Sequence, residues 1–171
     1  MKQISYTLED LEKFISLTKE IEQKEASKSL HKLLSVRDKI SIFKNIEPIY
    51  LKALVYDVKF VHYNHKDFIV KQGESAKDIF FIIDGECQVF YDKKYLTSLH
   101  AGEVFGESGV LFHKKRNATV VCSSQKVTLL TFSIDDEPSP FTAQSLAKLY
   151  KNLALQINDK LEELNGAFAK R

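Results

Sequence analysis

The stretch that decides the fold is Phe105-Gly-Glu-Ser-Gly-Val-Leu-Phe-His-Lys-Lys-Arg-Asn-Ala-Thr-Val120, which holds two glycines, a carboxylate and a basic run. We expect one short helical turn after Gly106 and a loop that returns Arg116 to that turn. Gly106 and Gly109 allow close backbone approach, and the free amides of the turn favour an anion. Arg116 offers a charged fork to the same anion, and Glu107 is an acceptor that suits a sugar hydroxyl. The stretch therefore predicts a site for a sugar phosphate.

Around this stretch, short β-branched and aromatic runs alternate with polar turns, as is typical of β-strands. Five of the six glycines fall in the same region, and Asp84-Gly85 predicts a hairpin turn because glycine tolerates a positive φ. Many short strands at this spacing predict a barrel, roll or sandwich over about residues 57–134. The candidate strands are Val58–Val61, Phe68–Val70, Ile79–Ile83, Gln88–Tyr91, Tyr95–Leu96, Ala118–Val121 and Val127–Phe132.

Helical spacing of apolar residues appears on both sides of the strand region. Between Thr7 and about Val55 it predicts several short helices, and after Ser139 it predicts one long helix over about residues 140–165, ending near Gly166. The long helix carries an apolar stripe that either covers the β-core or forms a seam with a partner helix. The expected fold class is therefore α+β and mainly β. The stripe consists of Leu146, Tyr150, Leu153, Ile157, Leu161 and Leu164.

Composition excludes several classes of protein. The 25 Lys and Arg against 23 Asp and Glu leave a net charge of +2, which argues against a dedicated nucleic-acid binder. Cys87 and Cys122 are too few for a disulfide framework and predict core thiols. Because the first twenty residues hold no apolar stretch and no run approaches the ~20 residues of a membrane span, we expect a cytoplasmic protein that crosses no membrane.

The residues point to neither a metal site nor a catalytic site. His62 and His65 invite a metal site, but three positions apart on a strand the two imidazoles face opposite sides, so no metal is expected. No nucleophile–base pair and no paired acid–base carboxylates point to catalysis. We therefore expect neither an enzyme nor a bound cofactor.

The stretch from Phe105 resembles the phosphate-binding cassette of the cyclic nucleotide-binding domain family, as in protein kinase A regulatory subunits and the bacterial catabolite activator protein. The family pattern has arginine nine positions after the glutamate, and it is met without a gap. A second segment, from Gln72 to Phe90, resembles the family's turn, strand, glycine turn and strand, so that the resemblance covers roughly residues 40–165. The cassette matches are Phe105, Gly106, Glu107, Gly109, Arg116, Ala118 and Thr119.

The resemblance implies an eight-stranded β-roll, a jelly-roll-like double-stranded β-helix, flanked by N-terminal helices and a long C-terminal helix. It implies a ligand, cAMP or cGMP, whose ribose 2′-hydroxyl donates to Glu107 and whose cyclic phosphate binds Arg116 and the backbone of the cassette. Residues 1–38 are then an N-terminal helical extension and residues 39–171 the cyclic nucleotide-binding domain. The implied site residues are Val89, Phe105, Gly106, Glu107, Ser108, Gly109, Arg116, Asn117 and Ala118, with Leu149, Tyr150 or Leu153 as a lid over the base.

Three positions depart from the family pattern. Ser108 stands where relatives usually have an aliphatic residue, and Lys115 replaces a frequent proline. The residue after the arginine is often alanine in cAMP binders, and threonine or serine where cGMP is favoured or both are accepted. Asn117 is neither, so the base preference stays open between cAMP and cGMP.

The function that follows is a regulatory module, in which ligand binding moves the C-terminal helix and thereby signals to an unidentified protein partner. The alternative is a degenerate scaffold that binds a protein and no nucleotide. A homodimer through the C-terminal helix is another use of the stripe. Because only five residues follow Gly166, and a winged helix-turn-helix needs roughly 50 or more, we expect a stand-alone sensor without a DNA-binding domain.

Overall fold

The computed structural model describes residues 27–134 and 143–169, which form two four-stranded antiparallel sheets with helices at both ends. This arrangement confirms the mainly β fold with eight strands and flanking helices. The helices predicted upstream of residue 27 and the predicted helix start near residue 140 lie outside the described residues. The helices are α1 (residues 27–36), α2 (Pro48–Leu54), α3 (Glu107–Leu111) and α4 (Ala143–Ala169), with 3₁₀ turns at Arg37–Lys39 and Ser41–Phe43.

The strands divide between a first sheet, in the order β1-β8-β3-β6, and a second sheet, in the order β2-β7-β4-β5. All seven candidate strands are present, and β6 is additional, because a two-residue strand is too short to show an alternating pattern. The predicted hairpin at Asp84-Gly85 was wrong. Gly85 does turn with a φ of +93°, but β3 and β4 belong to different sheets. The bounds are β1 Val55–Asn64, β2 Phe68–Val70, β3 Ile79–Asp84, β4 Glu86–Tyr91, β5 Lys94–His100, β6 Val104–Phe105, β7 Thr119–Cys122 and β8 Lys126–Ile134.

Two apolar cores follow from this layering. The first lies between the first sheet and the helices, where the ring centroids of Phe43 and Phe132 are 5.2 Å apart. The second lies between the sheets and includes Ile82, Val89 and Leu129. The central strands β3 and β8 are covered on both faces over most of their length, since residues 79–82 of β3 and residues 129–134 of β8 are all buried.

Helix α4 is bound to the first core by its N-terminal half. Leu146, Leu149 and Leu153 are almost fully buried there, whereas Leu161 is 54% exposed. The apolar stripe therefore covers the β-core over only part of its length. The predicted helix end at Gly166 was wrong, because Gly166 does not adopt a positive φ and the helix continues to Ala169.

The two cysteines are buried between strands, and the two histidines of β1 and the following turn contact hydrogen-bonding groups of the protein. Cys87 and Cys122 lie opposite each other on β4 and β7. Both are buried and neither forms a disulfide, which confirms the prediction of core thiols. His62 lies 3.0 Å from the hydroxyl of Thr128, and His65 lies 2.9 Å from a backbone carbonyl oxygen. Across the described ranges, no helix is long and apolar enough to span a bilayer.

Candidate functional site

A cavity of about 330 Å³ opens beside α3, between the second sheet and the loop that leads into β7. The cassette forms one end of its wall, and strands β2, β4, β5 and β7, together with Glu103 and Lys160, form the rest. The structure brings every implied site residue other than the lid to this wall. These residues are Val89, Phe105, Gly106, Glu107, Ser108, Gly109, Arg116, Asn117 and Ala118.

The two cassette glycines are required by packing within the wall itself. Gly106 has a φ of +82°, and a Cβ there would lie 2.6 Å from Nη1 of Arg116. A Cβ at Gly109 would lie 2.5 Å from the Cβ of Ala76. The sequence had suggested that these glycines admit a ligand, whereas the structure shows that they admit neighbouring segments of the chain.

Arg116 is buried in the wall, with 7% of its surface exposed. Its Nη1 and Nη2 each donate a hydrogen bond of 2.9 Å, to the carbonyl oxygens of Gly106 and Asp78 respectively. The guanidinium also lies over the ring of Phe80, which stacks on Phe105 at 4.9 Å. Both hydrogen bonds use carbonyl acceptors, so the guanidinium keeps its full charge and further N–H donors for an anion.

Burial lowers the pKa of Arg116, and the negative charges of Asp78, Glu74 and Glu107 partly oppose that effect. Arginine nevertheless stays protonated in proteins, because its ordinary pKa is so high. Within the part of the chain that the structure describes, no carboxylate forms an ion pair with Arg116. The cation is therefore desolvated and lacks a direct counter-ion, which favours an anionic ligand.

A pair of loops determines the position of Arg116. Its backbone nitrogen donates to the carbonyl oxygen of Glu74 at 2.8 Å, and its carbonyl accepts from Gly73 at 2.9 Å. Ser75 and Lys115 form a further antiparallel bridge. The segment that begins at Gln72 thus holds the end of the cassette loop in place through backbone contacts.

Glu107 begins α3 and is only 5% exposed. Its Oε1 accepts a hydrogen bond of 2.8 Å from Nζ of Lys160, which also donates to the carbonyl oxygen of Val104. Sequence reasoning missed Lys160. The available signal was its spacing, since Lys160 follows Leu146 and Leu153 at intervals of seven residues and so shares their face of the helix.

The expected lid residues do not reach the cavity. Leu149 and Leu153 are fully buried in the first core, and Tyr150 packs against the same core. The physical reason is that the apolar side chains of this part of α4 are buried in the first core, together with Ile42 and Phe43 of the second 3₁₀ turn. From α4, the cavity wall receives Lys160 alone among the described residues.

The rest of the cavity wall is largely apolar. Val89, Leu99 and Val120 are buried along it, and Leu96 lies 40% exposed. At the cassette end, Asn117 donates to the hydroxyl of Ser108 at 3.1 Å. One charged end and one apolar wall form a suitable site for a ligand that has an anionic group and a flat apolar part. The wall residues that the sequence did not identify are Val70, Leu96, Thr97, Ser98, Leu99, Glu103, Val120 and Lys160.

Comparisons with known proteins agree with this geometry. The family model described as "Cyclic nucleotide-binding domain" matches residues 60–146, just over half of the chain. Human cGMP-dependent protein kinase 2 is 27% identical over 122 residues, which are 71% of this chain and 16% of that protein. The chain thus spans about a sixth of the length of this curated relative.

Solved structures share the fold at low sequence identity. The regulatory domain of Toxoplasma gondii PKA with cAMP superposes with a TM-score of 0.59 and 15% identity, over 82% of this chain and 52% of that one. The regulatory subunit of a cAMP-independent protein kinase A from Trypanosoma cruzi, bound to guanosine, superposes with a TM-score of 0.55 and 13% identity. The match covers 62% of this chain and 38% of that one. With the family match and the two-sheet roll around the cassette, the chain belongs to the cyclic nucleotide-binding domain family.

Proposed function

We propose that this chain is a regulatory module that binds cAMP or cGMP in the 330 Å³ cavity and reports occupancy to a protein partner through α4. The observation that carries the proposal is that Arg116 and Glu107 both line one end of a largely apolar cavity. Arg116 is a buried cation without a carboxylate partner among the described residues, and Glu107 is a buried acceptor beside it. A cyclic nucleotide offers an anion and a hydroxyl at the same end of one molecule.

Each part of the ligand has a matching surface. The cyclic phosphate takes the remaining N–H donors of Arg116, where a hydrogen bond to a charged group stabilises more than a neutral one. The ribose hydroxyl donates to Glu107, and the base lies against the wall that contains Val89 and Val120. The cavity volume falls in the range of roughly 300–1,000 Å³ that is usual for small-molecule sites.

The relatives support both nucleotides. The human relative is named a cGMP-dependent kinase, and the Toxoplasma structure was solved with cAMP. Asn117 leaves the choice open in this chain, because it is neither of the residue types that mark a preference in the family.

The route to a partner is α4. Lys160 connects this helix directly to Glu107, so that a change at the site acts on the helix. Beyond Leu153, α4 also exposes Leu155 and Leu161, each at 54%. An exposed apolar surface of this kind suits a partner protein or a second copy of the chain.

A scaffold that binds no nucleotide is the second candidate, and one observation favours it. Glu107 already has a cationic partner in Lys160, which occupies the acceptor that a ribose would use. The Trypanosoma cruzi relative, which is described as cAMP-independent, has the same fold.

Calorimetric titration separates the two candidates. The protein is titrated with cAMP and with cGMP up to millimolar concentration, and with adenosine and guanosine as controls that lack the phosphate. Saturable binding of a cyclic nucleotide, with weaker or no binding of the matching nucleoside, supports the sensor. If neither cyclic nucleotide saturates the protein, the sensor proposal is wrong and the scaffold that binds no nucleotide remains as the candidate.

A further inference from the structure

Gln72 joins two segments of the chain that are far apart in sequence. Its side-chain amide nitrogen donates a hydrogen bond of 2.9 Å to Oδ1 of Asp92, and its Oε1 accepts one of 3.0 Å from the backbone nitrogen of Asp92. The backbone nitrogen of Gln72 donates to the hydroxyl oxygen of Thr119 at 3.0 Å. Gln72 therefore connects the turn between β4 and β5 to the start of β7, which follows the cassette loop.

The turn between β4 and β5 consists of Asp92 and Lys93, because Tyr91 pairs with Lys94 across it. Both turn residues have a positive φ, +48° and +65°, as a type I′ turn requires. Aspartate is common at the first position, but lysine at the second position replaces the usual glycine and is strained there. The two hydrogen bonds to Gln72 therefore stabilise a turn that its own sequence disfavours.

This turn leads directly into a wall of the cavity. Strand β5 lies at the edge of the second sheet, next to β4, so its free side receives no support from a neighbouring strand of that sheet. Val89 pairs with Thr97 and Phe90 pairs with Tyr95, which makes Leu96 the extra residue of a β-bulge, a feature that redirects side chains. The position of this wall therefore depends on how the turn is held. The wall residues of β5 are Leu96, Thr97, Ser98 and Leu99.

Gln72 also belongs to the segment that holds the cassette loop. The next residue, Gly73, donates from its backbone nitrogen to the carbonyl oxygen of Arg116 at 2.9 Å. Between Arg116 and Thr119 lie Asn117 and Ala118, which line the cavity. Gln72 thus links the loop at the charged end of the cavity to the strand that forms part of its apolar wall.

We propose that Gln72 is a positioning residue for the nucleotide base, because its pairing with Asp92 fixes β5 relative to the cassette loop. The inference rests on the proposed function, since the base belongs to the bound nucleotide. Gln72 is not among the described residues that line the cavity, so it acts through β5. The phosphate and the ribose contact the cassette, where Arg116 has its own hydrogen bonds, and a change at Gln72 therefore acts mainly on the base.

The variants exchange donor and acceptor within the pair. Gln72→Glu removes the donor and places a second carboxylate against Asp92, whereas Asp92→Asn keeps an acceptor for Gln72. In the double variant, the asparagine amide donates to the new carboxylate, so that the pair and the net charge of wild type are both restored. Asp92→Ala removes only the acceptor, at an exposed position, and should act in the same direction as Gln72→Glu. Gln125→Glu, at an exposed position between β7 and β8, is the matched control for the added charge.

Calorimetry with cAMP, cGMP, cCMP and cUMP measures the effect on the base, because these four ligands share the ribose and the cyclic phosphate. Gln72→Glu is expected to weaken binding of the preferred nucleotide by about threefold to tenfold, as the loss of a hydrogen bond or two would do. The least preferred nucleotide should lose less, so that the affinity ratio between the best and the worst base narrows. The double variant and Gln125→Glu should both match wild type. An equal loss for all four nucleotides, unchanged affinity, or no recovery in the double variant would overturn the proposal.

Hydrogen exchange with mass spectrometry tests the pair without nucleotide. The amides of residues 94–99 are expected to exchange faster in Gln72→Glu than in wild type, in Gln125→Glu or in the double variant. Unchanged exchange in Gln72→Glu would also overturn the proposal, because β5 would then be held without the help of Gln72.

The two measurements separate this inference from the proposed function. If wild type binds none of the four cyclic nucleotides, the proposed function fails and the positioning of a base fails with it, whatever the exchange shows. If wild type binds a cyclic nucleotide but Gln72→Glu leaves the affinity ratio between the bases unchanged, the positioning role of Gln72 alone fails.

Discussion

The carbonyl oxygen of Gly106 accepts a hydrogen bond of 2.9 Å from Nη1 of Arg116. This bond joins the residue that precedes α3 to the end of the basic loop, so that the guanidinium and the backbone beside Glu107 form one unit. A second bond, from Nη2 to the carbonyl oxygen of Asp78, attaches that unit to the start of β3.

Gly106→Ala is expected to lower both stability and nucleotide affinity. The new Cβ would lie 2.6 Å from Nη1 of Arg116 and would push the guanidinium out of place. Gly102→Ala is a matched control, because Gly102 also has a positive φ, +95°, but a Cβ there meets nothing within 4 Å. Both variants share a backbone strain of about 1–2 kcal/mol, and only Gly106→Ala should also lose affinity, by about tenfold or more (~1.4 kcal/mol). Denaturant unfolding and calorimetry measure the two effects; an equal loss of affinity in both variants would contradict the prediction.

Arg116→Ala is expected to weaken binding of the cyclic nucleotide by about 1.5–3 kcal/mol, the usual contribution of a hydrogen bond to a charged group. Arg116→Lys keeps the charge without the planar fork and should fall between wild type and Arg116→Ala. Lys115→Ala removes the charge of the exposed neighbouring side chain and should change affinity little. Calorimetry measures all three, with thermal unfolding to verify folding. Unchanged affinity in Arg116→Ala would mean that the ligand binds elsewhere.

Asn152→Ala is expected to loosen α4 from the 3₁₀ turns. The side-chain amide of Asn152 donates to the carbonyl oxygens of Ile42 at 2.9 Å and Lys44 at 2.8 Å. The bond to Ile42 is part-buried, and leaving that acceptor without its donor costs about 1–3 kcal/mol in the free energy of unfolding, whereas the exposed carbonyl oxygen of Lys44 can bind water instead. Asn158→Ala is the control, because among the described residues that amide donates to Glu162 on the exposed face of the helix, a pair worth about 0.2–0.5 kcal/mol. Urea titration compares the variants, and similar losses would show that Asn152 does not anchor the helix.

The two thiols are expected to resist alkylation in the folded protein. Burial is the main cause that raises the pKa of Cys87 to about 12, with smaller contributions from Cys122 and Glu86. Cys87 is fully buried, and at pH 8.5 it holds almost no thiolate, the reactive form. Iodoacetamide should therefore leave the native mass unchanged and add two labels after denaturation. Rapid labelling of the native protein would contradict the prediction.

The same shift predicts a loss of stability in alkali. The folded-state pKa of Cys87, about 12, lies above its ordinary value of 9.0, so its contribution to stability is complete below about pH 9. It decreases as pH rises toward 12, because the unfolded chain releases the proton first. Burial also raises the pKa of Tyr63, which adds a contribution of the same sign. Cys87→Ala should show a shallower fall in the free energy of unfolding over this window; an identical slope would remove Cys87 as a cause.

The cassette was predictable because its residues are close together in the chain. From Phe105 to Ala118 the spacing of glycine, carboxylate and arginine fits one turn and one returning loop, and the structure brings the implied residues of this segment to one cavity. Val89 was predicted from the second segment, which runs from Gln72 to Phe90. A backbone hydrogen bond between Glu74 and Arg116 joins that segment to the cassette. The strand pattern likewise predicted seven of the eight strands, since alternation and turn residues are local properties.

The sequence by itself determined that α4 has an apolar face, but it did not determine which surface that face covers. Leu149, Tyr150 and Leu153 pack on the first core rather than over the cavity, because burial depends on the shape of a partner surface built from distant segments. The same docking carries Lys160, on the same face, to Glu107. Strand β6 exists only through its pairing with β3. Local spacing thus determined the cassette and most strands, whereas tertiary packing decided which α4 side chain enters the site, because that contact joins residues far apart in the chain.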